Sequence, residues 1–180
     1  YFDVFGCLWG NRSCCATVNI APIEKVYIMD EDSFEQFTLE WLYGCKKEKY
    51  SSIRKIGGAG DKGRDVIAYY SDNSVDYYQC KHYNNALYPS NYYLELGKLC
   101  YYTYIEEIPM PKAYYIIASN DVGSSLQDLI DNPPKLLSCL LENWDTYCKT
   151  KVTKTAEIKL DKPLLEYIMS FDFSIIKTYP

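Results

Sequence analysis

The sequence predicts an α/β layered domain, and three patterns carry that expectation. An amphipathic helix pattern precedes three short β-rich segments, a long helix pattern follows them, and a buried-type strand comes next. The resulting order is α-β-β-β-α-β with further helices toward the C-terminal end. The chain has 180 residues, 48% of them hydrophobic and 24% charged. That is ample for one core and rules out bulk disorder. Nineteen Lys and Arg against 24 Asp and Glu leave a formal charge of −5, which excludes a protein that coats nucleic acid through bulk charge. No apolar run reaches the roughly 18 residues of a membrane span, and no signal-peptide pattern opens the chain. A cytoplasmic protein without membrane contact is therefore expected. Tyr1 in place of Met, and the ending Thr178-Tyr179-Pro180, read as a piece of a longer protein.

Residues 1–30 form a lead-in, with Val26-Tyr27-Ile28-Met29 as a possible strand. Residues 31–148 hold the core with a helical extension, and 149–180 extend the same domain. Ser33 and Gln36 have capping-box spacing at a helix start. Phe34, Phe37, Thr38, Trp41, Leu42 and Cys45 then recur at helical intervals, giving one apolar stripe. Residues 51–56 read as a short strand and 57–64 as a glycine-rich stretch. Strand composition returns at 65–70 and 75–81, separated by the turn cluster Ser71-Asp72-Asn73-Ser74, so these two segments form a hairpin. A helix is predicted over 90–107, with Leu96, Leu99, Cys100 and Tyr104 inward and Glu95, Lys98, Tyr102 and Glu106 outward; Pro109 and Pro111 end it. Residues 113–119 read as a buried strand, 126–130 and 135–147 as helices broken by Pro133-Pro134, and 163–170 as a last helix. The eight cysteines (Cys7, Cys14, Cys15, Cys45, Cys80, Cys100, Cys139 and Cys148) contain no C-x-x-C pair and sit among apolar neighbours. They read as reduced thiols used as small hydrophobes; a metal site at Cys7 with Cys14 and Cys15 is the alternative. Twenty tyrosines, several in pairs such as Tyr77-Tyr78, suit strands that present successive rings to opposite faces.

Two segments carry possible chemistry. Gly58-Ala59-Gly60-Asp61-Lys62-Gly63 matches G-x-G-x-x-G. A dinucleotide site, however, needs a helix N-terminus after that motif, and here β-type residues follow. A P-loop would need Lys-Ser/Thr where Arg64 stands. Asp65 with Gln79-Cys80-Lys81 is the sharper signal. Gln79 and Lys81 share one strand face, and a hairpin centred near residue 73 sets Asp65 opposite Lys81. A carboxylate, an amide and an ammonium thus converge. At 100° per residue Glu35 lies on the margin of the buried stripe of its helix, while Gln36 and Glu40 face solvent, so Glu35 is the acid that can join the patch.

Phe34-Glu35, Gly60-x-x-Gly63-x-Asp65 and Gln79-x-Lys81, in that order and in those elements, resemble the PD-(D/E)xK restriction-endonuclease-like superfamily. The likeness is closest to its Mrr-like branch, where Gln replaces the second acid. It spans about residues 33–120. The segment from Gly58 to Lys81 also resembles nuclease domains of bacterial anti-phage effectors of the CBASS and Lamassu types. The resemblance implies a restriction-endonuclease-like core and a Mg²⁺- or Mn²⁺-dependent endonuclease of low sequence specificity acting on double-stranded DNA. Asp65, Glu35, the Gln79 side-chain oxygen and the Cys80 carbonyl would be the metal ligands, a set of hard oxygen donors of the kind Mg²⁺ prefers. Lys81 would orient or help deprotonate the attacking water and stabilise developing charge. Gln79 in place of an acid removes one negative charge and weakens metal affinity. Arg54, Lys62, Arg64 and His82, with Lys55, would form a local basic rim for DNA phosphates. The implied setting is an effector controlled by another domain or subunit of a defence complex and active as a homo-oligomer. Two other functions fit the same residues: a catalytically silent nuclease-like fold serving as a DNA-binding or protein-interaction module, and a nucleotide-binding regulator using the glycine-rich segment.

Overall fold

Proline at a helix start is harmless, because the first-turn N–H has no intrahelical partner, and four of the described helices carry proline in their first two positions. A computed structural model describes residues 21–56 and 60–179. Helix α1 spans Pro22–Tyr27, where a strand at 26–29 was expected; Pro22 and the Ala21 amide bonded to Glu24 Oε2 (2.9 Å) favour the helix. Helix α2, Glu31–Lys46, is capped by Asp30, whose Oδ1 accepts from the Ser33 amide at 2.7 Å. The expected Ser33/Gln36 box does not form, and Gln36 bonds Glu40 instead. The predicted stripe is present, with Phe34, Thr38 and Leu42 buried.

Strands β1 (Ser52–Lys55), β2 (Val66–Tyr69) and β3 (Val75–Lys81) form an antiparallel meander. Helix α3 (Pro89–Tyr104) then crosses to β4 (Ala113–Ala118), which pairs parallel with β3. Helices α4 (Ser124–Ile130), α5 (Pro133–Tyr147) and α6 (Lys162–Ser170) follow, and β5 (Ile176–Thr178) adds a further parallel strand. The domain is α/β, with an open mixed sheet in the order β1-β2-β3-β4-β5. The predicted α-β-β-β-α-β order corresponds to α2 through β4. Pro133-Pro134 opens α5 rather than merely interrupting it, with Asn132 as its cap.

Alternation along β3 builds two cores. Tyr77 enters the core that also holds Tyr92, Leu96 and Leu99 of α3 and Trp144 of α5. Tyr78 faces Leu42 of α2, Tyr50 and Ile53, and Cys80 meets Phe34 and Val26. The hairpin register is Val66↔Tyr78 and Tyr69↔Val75, one residue earlier in centre than expected. Asp72 accepts from the Ser74 amide and hydroxyl, and Asn73 adopts φ 65°, so the reversal is built on Asp72–Asn73. Asp65 consequently sits beside Gln79 and Cys80 rather than opposite Lys81. Cys80, Cys100 and Cys148 are buried free thiols, whereas Cys45 is exposed; Cys7, Cys14 and Cys15 lie outside the described residues. No described helix is long and apolar enough to cross a membrane.

The α3–α5 contact depends on Gly97, where an added Cβ would stand 2.5 Å from Cys148 Sγ. Gly97→Ala is expected to destabilise the fold by about 1–3 kcal/mol, and Cys148→Ala in the same chain to recover part of that loss. Denaturant titration of the two single variants and the double variant measures both effects.

Candidate active site

The end of β3 opens into a cleft lined by residues of α2, the segment before β2, β3 and α3. Among its lining groups are Glu31, Glu35, Asp61, Asp65, Gln79, Cys80, Lys81, His82, Glu95 and Lys98. Asp65 precedes β2 and is 4% exposed. Its backbone stays in the ladder, the amide donating to Tyr78 O (3.0 Å) and the carbonyl accepting from the Ile56 amide (2.7 Å). Its side chain turns onto β3, where Oδ2 accepts from the Cys80 amide at 2.6 Å. Burial pushes the Asp65 carboxyl from the ordinary value of 3.8 up to about 7; the Cys80 amide and Lys81 oppose the rise, and the nearby Glu35 and Asp61 add to it.

Gln79 is buried, and its Oε1 has no hydrogen-bond partner. A buried amide oxygen without a donor is costly, and here it lies in the lining of a polar cleft. Lys81, on the same strand face, places Nζ 2.8 Å from Glu95 Oε1. Burial opposes the charge of Lys81, but Glu95 outweighs it and raises the ammonium above its ordinary range. Glu95 is also buried against ionisation, yet Lys81 and Lys98 hold its carboxyl below the usual range. Glu35 reaches the cleft from α2 and pairs with Lys55 at 3.2 Å; Lys55 also bonds Asp32 Oδ1.

The expected convergence of Asp65, Gln79, Cys80, Lys81 and Glu35 on one cleft is therefore present, through a different register. The expected basic rim is not. Arg64 is only 9% exposed; it donates to Asp61 O and lies over the Tyr77 ring. Its position in the buried turn before β2 explains the difference. Lys62 pairs with Glu107 over the Tyr102 ring. His82 lines the cleft but is held by Val26 O at 3.0 Å and the edge of Phe34. Arg54 is exposed on β1, near the Tyr69 ring. Glu95, expected to face outward, is 6% exposed and central to the cleft. A signal for it was present: Tyr92, Glu95 and Leu99 stand at i, i+3 and i+7, on the face that meets the sheet.

Five carboxylates thus line the cleft, with the ammonium groups of Lys81 and Lys98 and the imidazole of His82. Among the described residues no three His, Cys, Asp or Glu side chains form a metal cage. The donors available to a hard cation are of another kind: Asp65, Glu35, the unpartnered Gln79 oxygen and the backbone at Cys80. An uncompensated buried acid beside an unpartnered amide oxygen suits such an ion. Family models, curated proteins and solved structures were compared with this chain, and none matches.

Because the folded-state value of Asp65 is raised, the native state binds the proton more tightly than the unfolded chain. Its contribution is fully present below about pH 4 and is lost as the pH rises to about 7. In cation-free buffer, the unfolding free energy of the wild type relative to Asp65→Asn should fall across that window, with a slope of at most about 1.4 kcal/mol per pH unit. Chemical denaturation of both proteins at several pH values measures it; a constant difference would contradict the assignment.

Proposed function

We propose that the domain is a divalent-metal-dependent endonuclease that hydrolyses DNA phosphodiester bonds with low sequence specificity, built on a restriction-endonuclease-like core. The observation that carries this reading is the unpartnered, buried Gln79 Oε1 beside the Asp65 carboxylate, in a cleft shared with Glu35 and Lys81. The α2-β1-β2-β3-α3-β4 order, with these groups at the ends of β2 and β3, supports the same reading.

Asp65, Glu35, Gln79 Oε1 and the Cys80 carbonyl would hold Mg²⁺ or Mn²⁺. Such a cation, when bound, polarises the phosphoryl oxygen and supplies a water of lowered pKa. Asp65 is pre-aimed by the Cys80 amide, so little reorganisation is needed on loading. Lys81 acts as a fixed ammonium donor toward phosphoryl oxygens, since Glu95 keeps it charged; proton abstraction by its amine is disfavoured. Lys55 holds Glu35 at the α2 side of the cleft. The surplus of carboxylates repels DNA until a cation is bound, so affinity for DNA rises with metal loading.

The described residues of each chain form one such cleft, and cutting both strands of a duplex requires two, so assembly into a homo-oligomer is the natural mode of activation. That fits an effector of an anti-phage defence complex whose other domain or subunit drives assembly. The replacement of an acid by Gln79 favours a second reading, a silent nuclease-like module that binds DNA or protein without cutting.

Supercoiled plasmid incubated with Mg²⁺ or Mn²⁺ separates the two, using the chain alone and a version forced to dimerise. Nicking or linearisation that grows on dimerisation is expected. Asp65→Ala and Lys81→Ala should each lower the rate by at least about 100-fold. Retarded but uncut plasmid under every condition would identify the silent module instead.

A further inference from the structure

Glu95 belongs to no motif of the chain, yet it is a buried acid, 6% exposed, that pairs directly with Lys81. Its two oxygens are both committed, Oε1 to Lys81 at 2.8 Å and Oε2 to Lys98 at 3.1 Å. The helix that bears it is anchored on either side by Tyr92 and Leu96, both essentially fully buried. Gly63 closes over it from the other side. A Cβ at that residue would stand 3.0 Å from Glu95 Oε2, and the backbone there has φ +79°. The Gly63 carbonyl is in turn fixed by the Tyr114 hydroxyl at 2.6 Å. Gly63, the last glycine of the G-x-G-x-x-G stretch, therefore lets backbone approach this carboxylate.

A lysine is a long, flexible stem with a mobile head. Lys81 is nevertheless only 15% exposed along its side chain, and its head is directed by an acid on a rigid helix rather than by solvent. Groups that act on a reacting phosphate must be held close to the productive geometry by supporting contacts. We infer that Glu95 is a positioning residue of the hydrolytic site: clamped by Lys98 and Gly63, it fixes the Lys81 ammonium where the scissile phosphate is handled. The inference rests on the nuclease reading above.

The test is a double-mutant cycle in the metal-loaded, dimerised protein, with Glu95→Asp, Lys81→Ala and the combination. Asp keeps the charge but withdraws the carboxylate by one methylene. Glu95→Asp should lower kcat on plasmid by about 100-fold, the usual effect of an ångström-scale misplacement. The Kd for a DNA duplex measured with Ca²⁺ should stay unchanged. In the Lys81→Ala background the Glu95 substitution should have no further effect. Losses that multiply, or a kcat that is unchanged or raised, would overturn the positioning role while leaving the nuclease reading intact. A wild type that cuts nothing overturns the nuclease reading, and the role with it. If Glu95→Asp does not fold, as judged by thermal unfolding, Glu95→Gln enters the same cycle with the same expectations.

Discussion

The arrangement at the end of the sheet depends on one buried hydrogen bond, from the Cys80 amide to Asp65 Oδ2. A carboxylate removed from water must find donors, and Asp65 finds its donor in the backbone of the neighbouring strand rather than in a loop. That choice ties the acid to the residues flanking Cys80. Gln79 and Lys81 point to one face and Cys80 to the other by strand alternation alone. The relative placement of the acid, the amide and the lysine stem is thus set by β3 and the hydrogen bond to it, while Glu95 of α3 holds the ammonium head.

β3 buries acidic chemistry at both of its ends, and the contrast between them is informative. At its start Asp76 is fully buried, and its Oδ2 takes donors from Lys49 (2.9 Å), Tyr50 (2.6 Å) and Tyr70 (2.9 Å). The Lys49 ammonium also lies near the faces of the Tyr50, Tyr70 and Tyr115 rings. There the chain supplies its own cation. At the far end Asp65 has an amide donor but no ion pair of its own, because Lys81 is taken by Glu95 and Lys55 by Glu35. Glu95 and Glu35 are thus each paired with a lysine at this end, while Asp65 has no such partner and the Gln79 oxygen has no donor.

Periodicity made the α2 stripe, the meander and the order through β4 legible, because each is a local pattern repeated over several residues. Asp65, Gln79, Lys81 and Glu35 followed from those elements. What sequence patterns missed were choices between near-equivalent local partners. Asp30 outcompetes Ser33 as the α2 cap, Asp72 rather than residue 73 centres the hairpin, and Pro22 turns a β-like segment into α1. Glu95 was hidden by its charge, since hydrophobic periodicity counts an acid as exposed even where two lysines await it. Arg64 was misplaced for the same reason: its guanidinium is buried on Tyr77 and the Asp61 carbonyl. β5 is three residues long, and only its pairing with β4 defines it.

The most direct test of the account is a titration of the protein with Mn²⁺ followed by electron paramagnetic resonance, which counts bound ions without requiring activity. The account predicts one Mn²⁺ per chain, lost in Asp65→Asn and weakened in Gln79→Leu, with Mg²⁺ competing for the same place. Mn²⁺ that fails to bind, or binds equally well to both variants, would contradict it.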